Sequence, residues 1–267
     1  MANVLQRHEV HAIAFDVSSL PHDTNTPDIE TSSEGYRSRF SGEVGAFFLN
    51  VQSRMLLWQL SRSIGDLNAY SVLDVGGGHA QVTRALLDSF ASVAVHGSAE
   101  SCARFVAAEP EWESERLSFF TSGLWELPKS DRAVDVVVAL RVMAHVERWR
   151  ELIAELCRVS KRAVVIDFPC KSGMNALTPL LFMIKKKIEG NTRPYFSYRR
   201  SDLEAEFRKH GFVVTAVTKQ FALPMGLHRA LKSARLSRAL ESALRCCGVT
   251  SLLGSPALLC AVRETET

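Results

Sequence analysis

The sequence has 267 residues, enough for one large domain with additions, and 46% hydrophobic and 23% charged residues are typical of a globular protein. The net charge of +3 is too small to predict binding to nucleic acid. The six cysteines form no Cys-x-x-Cys pair, which argues against a disulfide scaffold and a structural metal site and favours a cytoplasmic location. The N-terminus shows no apolar signal core, and the longest apolar stretch, residues 176–184, is too short to span a bilayer.

The first 66 residues precede the main pattern and divide into two parts. Residues 1–30 are polar and predict a flexible N-terminal arm. Residues 31–66 carry apolar side chains at three- and four-residue spacing from Phe40 to Leu56, which is typical of a helix with one apolar face. This helix is predicted to lie over the ligand side of the following domain as a cap.

Strands and helices alternate over residues 67–267. The predicted strands cover residues 71–75, 92–95, 117–121, 135–140, 162–167, 212–217 and 258–263, and the predicted helices cover 80–90, 99–108, 149–159 and 201–210. Such repeated units predict an α/β fold with a doubly wound, mostly parallel sheet. Helical insertions are expected at 170–200 and 223–254. The second contains a basic helix whose apolar face is predicted to comprise Leu236, Ala239, Leu240, Ala243, Leu244 and Cys247.

The turn after the first predicted strand is the most informative segment. Asp74 lies in that strand, and three glycines follow it, Gly76, Gly77 and Gly78. Glycines at such a turn let the backbone approach a ligand closely and present free N–H groups to it. A dinucleotide fingerprint would require glycine at position 81, where Gln81 stands, so dinucleotide binding is disfavoured.

The spacing Asp74-x-Gly76-x-Gly78-x-Ala80 resembles motif I of the class I S-adenosylmethionine-dependent methyltransferases. The resemblance covers roughly residues 70 to 170, and the segments 126–128, 133–137 and 139–146 look like the type 11, or UbiE-like, small-molecule branch. It implies a Rossmann-like fold with seven strands and S-adenosylmethionine as cofactor. It also implies methylation of a small molecule at oxygen or carbon, for example a lipid, an isoprenoid or another secondary metabolite.

The same resemblance implies which residues contact the cofactor. Asp74 and Gly76 would border its methionyl end, Gly78 would let the backbone approach the ribose, and Gly77 lies between them. Near the adenine and the sulfonium, the family positions correspond to Ser122, Gly123, Leu140 and Arg141.

One feature of the family is missing at the end of the second predicted strand. The family usually has a carboxylate there that binds both ribose hydroxyls, whereas this chain has Gly97, or His96 after a one-residue shift. His96 or Ser98 could replace one hydrogen bond, and Glu100 could supply a carboxylate. The lost contact corresponds to about 1–3 kcal/mol, roughly ten- to a hundred-fold in affinity. A different reaction on the same fold, or a cofactor-binding protein without activity, therefore stays open as an alternative.

Two residues at the ends of later strands are candidate catalytic residues. His145 ends the motif of the fourth strand, and an imidazole can act as a general base near neutral pH, although it could equally cap the following helix. Asp167 ends the fifth predicted strand and is a candidate base or substrate contact, or alternatively a turn residue.

The first insertion supplies the predicted substrate-binding residues Arg193, Tyr195 and Tyr198. Arginine and tyrosine together suit a phosphate, a carboxylate or a planar ring, so a small-molecule substrate is expected. Two basic segments, Lys185–Lys187 and the helix of the second insertion, could contact an anionic membrane peripherally. Alternatively, their charged side chains only face solvent. The motifs indicate neither the methyl acceptor nor the oligomeric state.

Overall fold

Seven strands form one sheet in the computed structural model, which describes residues 40–77, 80–171 and 195–264. The strands are β1 (Ser71–Val75), β2 (Ser92–Gly97), β3 (Leu117–Thr121), β4 (Val134–Ala139), β5 (Ser160–Phe168), β6 (Phe212–Lys219) and β7 (Ala257–Arg263). Their order across the sheet is β3-β2-β1-β4-β5-β7-β6. The sequence pattern predicted each of these strands to within two residues at either end, and the expected α/β fold is confirmed.

The sheet brings the carboxyl ends of its parallel strands to one edge. Strands β1 to β5 run parallel, whereas β7 lies antiparallel between β5 and β6. Val136–Ala139 of β4 are fully buried, which explains why this central strand is a continuous apolar run. The strand order reverses between β1 and β4, and ligands of such sheets bind outside the carboxyl ends at that point.

The helices in the described residues partly match the prediction. They are α1 (Gly42–Ile64), α2 (Thr83–Leu87), α3 (Ala103–Val106), α4 (Trp149–Val159), α5 (Arg200–Lys209), α6 (Met225–Leu231), α7 (Ala234–Cys246) and α8 (Val249–Leu253). Helices α2 and α3 are shorter than the predicted 80–90 and 99–108. Ala80 has a φ of 53°, which is incompatible with a right-handed helix there, and Glu109 is extended because it precedes Pro110.

Helix α1 packs on the sheet and does not serve only as a cap. Leu56 and Leu60 in its second half are fully buried in the same apolar cluster as side chains of β1, β4 and β7. Phe47 and Phe48 in its first half pack against Phe221 and His228 of the second insertion. The middle of α1 therefore lies at the carboxyl edge of the sheet, where its polar side chains can reach the ligand side.

The second insertion folds as the three helices α6, α7 and α8. The prediction for α7 is wrong, because the face predicted to be apolar and packed on the protein is not the buried one. The buried face of α7 comprises Ala234, Ser237 and Glu241, whereas Leu236 is 45% exposed. Glu241 can be buried because its carboxylate accepts hydrogen bonds from two backbone N–H groups at positions 222 and 223 and contacts the His228 ring. No helix in the described parts of the chain combines the length and hydropathy needed to cross a membrane.

Candidate functional site

The turn after β1 is packed so closely that two of its positions require glycine. Gly76 has a φ of 70°, and a Cβ atom there would lie 2.6 Å from Cγ2 of Val142. A Cβ atom at Gly77 would lie 2.6 Å from Oδ2 of Asp74. Both contacts are shorter than van der Waals packing permits, so only glycine fits at these two positions of the turn. Gly78, the third predicted glycine, lies outside the described residues.

Asp74 is a buried acid without a hydrogen-bond partner at one oxygen. Its side chain is 1% exposed, and Oδ2 has no partner. Burial raises the pKa of Asp74 from its usual 3.8 to about 7, and the charge of Arg141 only partly opposes this rise. A buried carboxylate of this kind is stabilised by a positively charged group placed beside it.

His96 occupies the strand end where the family carboxylate is missing. The imidazole is fully buried, with Nδ1 3.4 Å from the N–H of Gly76 and Nε2 3.0 Å from the carbonyl oxygen of Ser122. Gly97 is excluded as a position for an acid, because a Cβ atom there would lie 2.8 Å from the Cβ of Cys102. Ser98 directly follows β2 and is half-buried. The structure thus places His96 between the loops after β1 and β3.

A carboxylate is present near the end of β2, at Glu100, three residues after Gly97. Glu100 is exposed, and its Oε1 accepts a hydrogen bond of 3.0 Å from the hydroxyl of Thr121, the last residue of β3. Gly97 and Thr121 are paired neighbours in the sheet, so Glu100 lies near the end of β2. Ser122 and Gly123 follow immediately, in the position predicted for the adenine.

The end of β4 carries Leu140 and Arg141, which are predicted to form the floor of the cleft. Leu140 is buried, and Arg141 adopts a φ of 63°, a conformation that is unfavourable for a residue with a side chain. The backbone N–H of Arg141 donates a short hydrogen bond to Oδ1 of Asp167, and its guanidinium lies 5.0 Å from the centre of the Phe40 ring. The strained backbone is therefore held by the carboxylate of the neighbouring strand.

Asp167 is the second buried acid of the site. It is almost completely buried at the end of β5, and Oδ2 accepts a hydrogen bond of 3.0 Å from Nε2 of Gln52 in α1. Burial raises the pKa of Asp167 to about 6, against the opposing effect of the hydrogen bonds from Arg141 and Gln52 and of the Arg141 charge. Sequence reasoning missed Gln52. Gln52 could have been recognised as a polar residue on the apolar face of the predicted helix, four positions after Phe48.

His145 and Tyr195 lie beside each other. His145 is half-buried, and its ring centre is 6.1 Å from that of Tyr195 in an edge-to-face arrangement. Burial raises the pKa of the Tyr195 hydroxyl, and the nearby Asp167 and Cys170 add to this rise. The four predicted residues Asp167, His145, Tyr195 and Tyr198 are thus on one side of the site.

Tyr198 is held by backbone carbonyl groups. Its hydroxyl lies 2.8 Å from the carbonyl oxygen of Met143 and 3.1 Å from that of Val146, and its ring is buried. These contacts attach the segment 195–198 to the turn that carries His145. Arg193, the third predicted substrate residue, lies outside the described residues.

S-adenosylmethionine fits the residues that are present. The uncompensated carboxylate of Asp74 suits the positively charged methionyl end, and the bare backbone of Gly76 and Gly77 permits close approach. Both features lie at the strand-order reversal where the fold binds ligands. The cofactor contacts themselves stay predictions.

Known proteins share the family domain and the fold. Residues 73–166 match the type 11 family model described as a methyltransferase domain. Magnesium protoporphyrin IX methyltransferase from Synechocystis PCC 6803, with bound S-adenosylhomocysteine, has a TM-score of 0.62 at 16% identity, with 89% of this chain and 98% of that chain covered. Geranyl diphosphate C-methyltransferase from Streptomyces coelicolor A3(2), in complex with Mg²⁺, geranyl diphosphate and S-adenosyl-L-homocysteine, has a TM-score of 0.59 at 16% identity, with 80% and 79% covered. No curated protein matches the sequence significantly.

These findings agree with the glycine turn and the sheet order, and they confirm the resemblance seen in the sequence. At 16% identity the two solved structures support the fold, while the domain match assigns residues 73–166 to the family. Residues 73–166 therefore form a methyltransferase domain of the type 11 family, and the chain is an enzyme that uses S-adenosylmethionine as its cofactor.

Proposed function

We propose that the enzyme transfers the methyl group of S-adenosylmethionine to an oxygen or carbon atom of a small molecule, such as a lipid, an isoprenoid or another secondary metabolite. The observation that carries this proposal is the Asp167 carboxylate, buried at the end of β5 beside the backbone of Arg141. A hydroxyl or acidic C–H group must release a proton when it accepts a methyl group. A carboxylate with a pKa of about 6 can take this proton near neutral pH.

The residues of the chain have separate tasks in this reaction. When bound, S-adenosylmethionine supplies an electrophilic methyl group on a positively charged sulfur atom. Asp74 would bind the methionyl end, and Leu140 and Arg141 would form the floor under the reacting centre. The hydrogen bond from Arg141 to Asp167 fixes that floor relative to the base. Holding donor and acceptor in line, with water excluded, supplies much of the rate in such a transfer.

His145 is the second candidate for the proton. It lies on the turn held by Tyr198, and its ring faces Tyr195 at the mouth of the cleft. Since Asp167 lies deeper and has a raised pKa, we assign proton transfer to Asp167 and a place at the substrate entrance to His145.

A small molecule as acceptor is supported by the two similar solved structures, whose names specify magnesium protoporphyrin IX and geranyl diphosphate as the compounds methylated or bound. The burial of Asp167 points the same way, because an acceptor atom must reach a side chain that is only 3% exposed.

The proposal is tested by incubating the full chain with methyl-labelled S-adenosylmethionine and a fractionated extract of the native cells. We expect label in a small-molecule fraction. Gly77→Ala should abolish labelling, because its Cβ would lie 2.6 Å from Oδ2 of Asp74. Gly226→Ala is the matched control, since a Cβ there meets nothing within 4 Å. Label found in protein or nucleic acid, or none with wild type despite cofactor binding, would contradict the proposal.

A further inference from the structure

A cavity of about 730 Å³ opens beside the proposed acceptor site. Its walls come from the residues after β5, the start of α5, the end of β6, and helices α7 and α8. Phe168 and Cys170, one and three positions after Asp167, line it, and Cys170 is close enough to affect the Tyr195 hydroxyl. The cavity therefore adjoins the site where we place the methyl acceptor.

The lining of this cavity is strongly cationic. Five of the lining residues are basic, namely Lys171, Arg199, Arg200, Lys219 and Arg245, and none of the described lining residues is acidic. Arg200 is compensated by Glu204, with Nε 2.6 Å from the carboxylate. The other four lining cations have no carboxylate within ion-pair distance among the described residues.

The uncompensated cations differ in what they already contact. Nζ of Lys219 donates to the carbonyl oxygen of Leu252 at 2.6 Å, and Nη2 of Arg245 donates to that of Gln220 at 2.8 Å. These carbonyl groups orient the two side chains without neutralising their charge. Lys171 and Arg199 are exposed, and their charged groups make no hydrogen bond or ion pair with the described residues. They are therefore available to a ligand.

Like charges collected around one concave space repel each other unless an anion lies between them. Helix α5 begins at the same place, with Arg199 directly before its first turn, so the positive end of its dipole adds to the field. Four uncompensated cations suit a group with more than one negative charge better than a single carboxylate.

We propose that this cavity binds a phosphate or diphosphate group carried by the methyl acceptor. The proposal rests on the proposed function, because it names the chemical class of the acceptor for the same site. The anion would lie among Lys171, Arg199 and Lys219, and the atom to be methylated would extend from it toward Asp167. Binding in the cavity would thus orient the acceptor before methyl transfer.

The test is calorimetric titration of the full chain with inorganic pyrophosphate and, separately, with dihexanoyl phosphatidic acid, a lipid phosphate that is soluble in water. We expect wild type to bind at least one of them. The double variant Lys171→Gln/Arg199→Gln should weaken that binding by about tenfold or more. The control Lys161→Gln/Arg208→Gln removes two exposed positive charges elsewhere and should leave binding within about twofold.

The outcomes separate this inference from the proposed function, because S-adenosylmethionine binding is measured on the same samples. Tighter binding of pyrophosphate indicates a soluble phosphate ester, and tighter binding of the lipid phosphate indicates a lipid acceptor; both support the proposal. Normal cofactor binding with no binding of either phosphate overturns it and leaves the proposed function intact. Phosphate binding that both double variants weaken equally also overturns it. If wild type does not bind S-adenosylmethionine, the result contradicts the proposed function instead.

Discussion

His96 links the loop after β3, through the carbonyl group of Ser122, to the loop after β1. The Gly76 N–H can only donate, so Nδ1 of His96 is the acceptor and Nε2 carries the proton that it donates to the Ser122 carbonyl oxygen, 3.0 Å away. Both ring nitrogens are therefore used within the protein. His96 thus holds the loops after β1 and β3 at a fixed spacing, and we predict that Glu100, the carboxylate near the end of β2, binds the ribose.

Replacing His96 tests whether its two hydrogen bonds hold the loops after β1 and β3 in place. His96→Ala removes two buried hydrogen bonds and a packed ring, so we expect a loss of about 2–4 kcal/mol in the free energy of unfolding and about tenfold weaker cofactor binding. His96→Gln can donate and accept and should recover part of both losses. Denaturant unfolding and calorimetric titration with S-adenosylmethionine measure the two effects. Equal losses for Ala and Gln would show that the hydrogen bonds do not matter.

Asp74→Asn should change stability and cofactor binding in opposite directions. The folded pKa of Asp74 is raised from 3.8 to about 7, so folding favours the protonated form and wild-type stability falls as pH rises through this interval. The variant should therefore be more stable than wild type by roughly 1–3 kcal/mol at about pH 8, with a smaller difference at about pH 5 and little difference at about pH 3, below the unfolded pKa. Its cofactor affinity should fall by about tenfold or more, because the carboxylate charge is lost.

Asp135→Asn is the contrasting control for this pH dependence. Although partial burial opposes it, hydrogen bonds from the N–H and hydroxyl of Ser71 lower the pKa of Asp135 below its usual value. Its ionised form stabilises the folded chain above the usual pKa, and this contribution is lost as pH falls. Asp135→Asn should thus destabilise the protein near neutral pH. The same pH trend in both variants would disprove the assignment of the Asp74 effect to its buried charge.

The sequence predicted the fold and the glycine turn because both depend on local signals. Buried strands such as β4 are continuous apolar runs, and Gly76 and Gly77 stand where a Cβ atom cannot fit. It could not predict the bond between Gln52 and Asp167, because the two residues are 115 positions apart and meet only when α1 packs on the sheet. The partners of His96 depend likewise on the loops after β1 and β3.

The wrong face of α7 has a different cause. Periodicity assigns the apolar side of a helix to the core, but here the buried side is chosen by Glu241, which the backbone of residues 222 and 223 and His228 stabilise. Helical periodicity contains no information about such distant partners. The apolar side chain of Leu236 is consequently exposed beside Arg235 and Arg238.

This exposed face of α7 predicts binding to anionic membranes. Leu236 can insert between lipids while Arg235 and Arg238 contact the headgroups. We expect the protein to sediment with vesicles that contain phosphatidylglycerol, less so in high salt, and the triple variant Arg235→Gln/Leu236→Asp/Arg238→Gln to stay in the supernatant. Lys161→Gln removes an exposed charge at the start of β5 and should sediment like wild type. Equal sedimentation with neutral vesicles, or of the triple variant, would argue against the contact.

Asp167 and Gln52 give the most direct test of the proposed chemistry. Asp167→Asn should lower kcat by about 100-fold or more, as loss of a general base does, while the cofactor Kd changes by less than about threefold. Gln52 is a positioning residue, because its hydrogen bond lowers the pKa of Asp167. Gln52→Leu should therefore shift the acidic limb of the kcat/KM profile to higher pH. Gln59→Leu is the matched control, since Gln59 is buried in the same helix but donates to Thr218 and to the Leu258 carbonyl oxygen. If both leucine variants leave the acidic limb where it is in wild type, Asp167 is not the group that titrates, and the proton acceptor must be sought at His145.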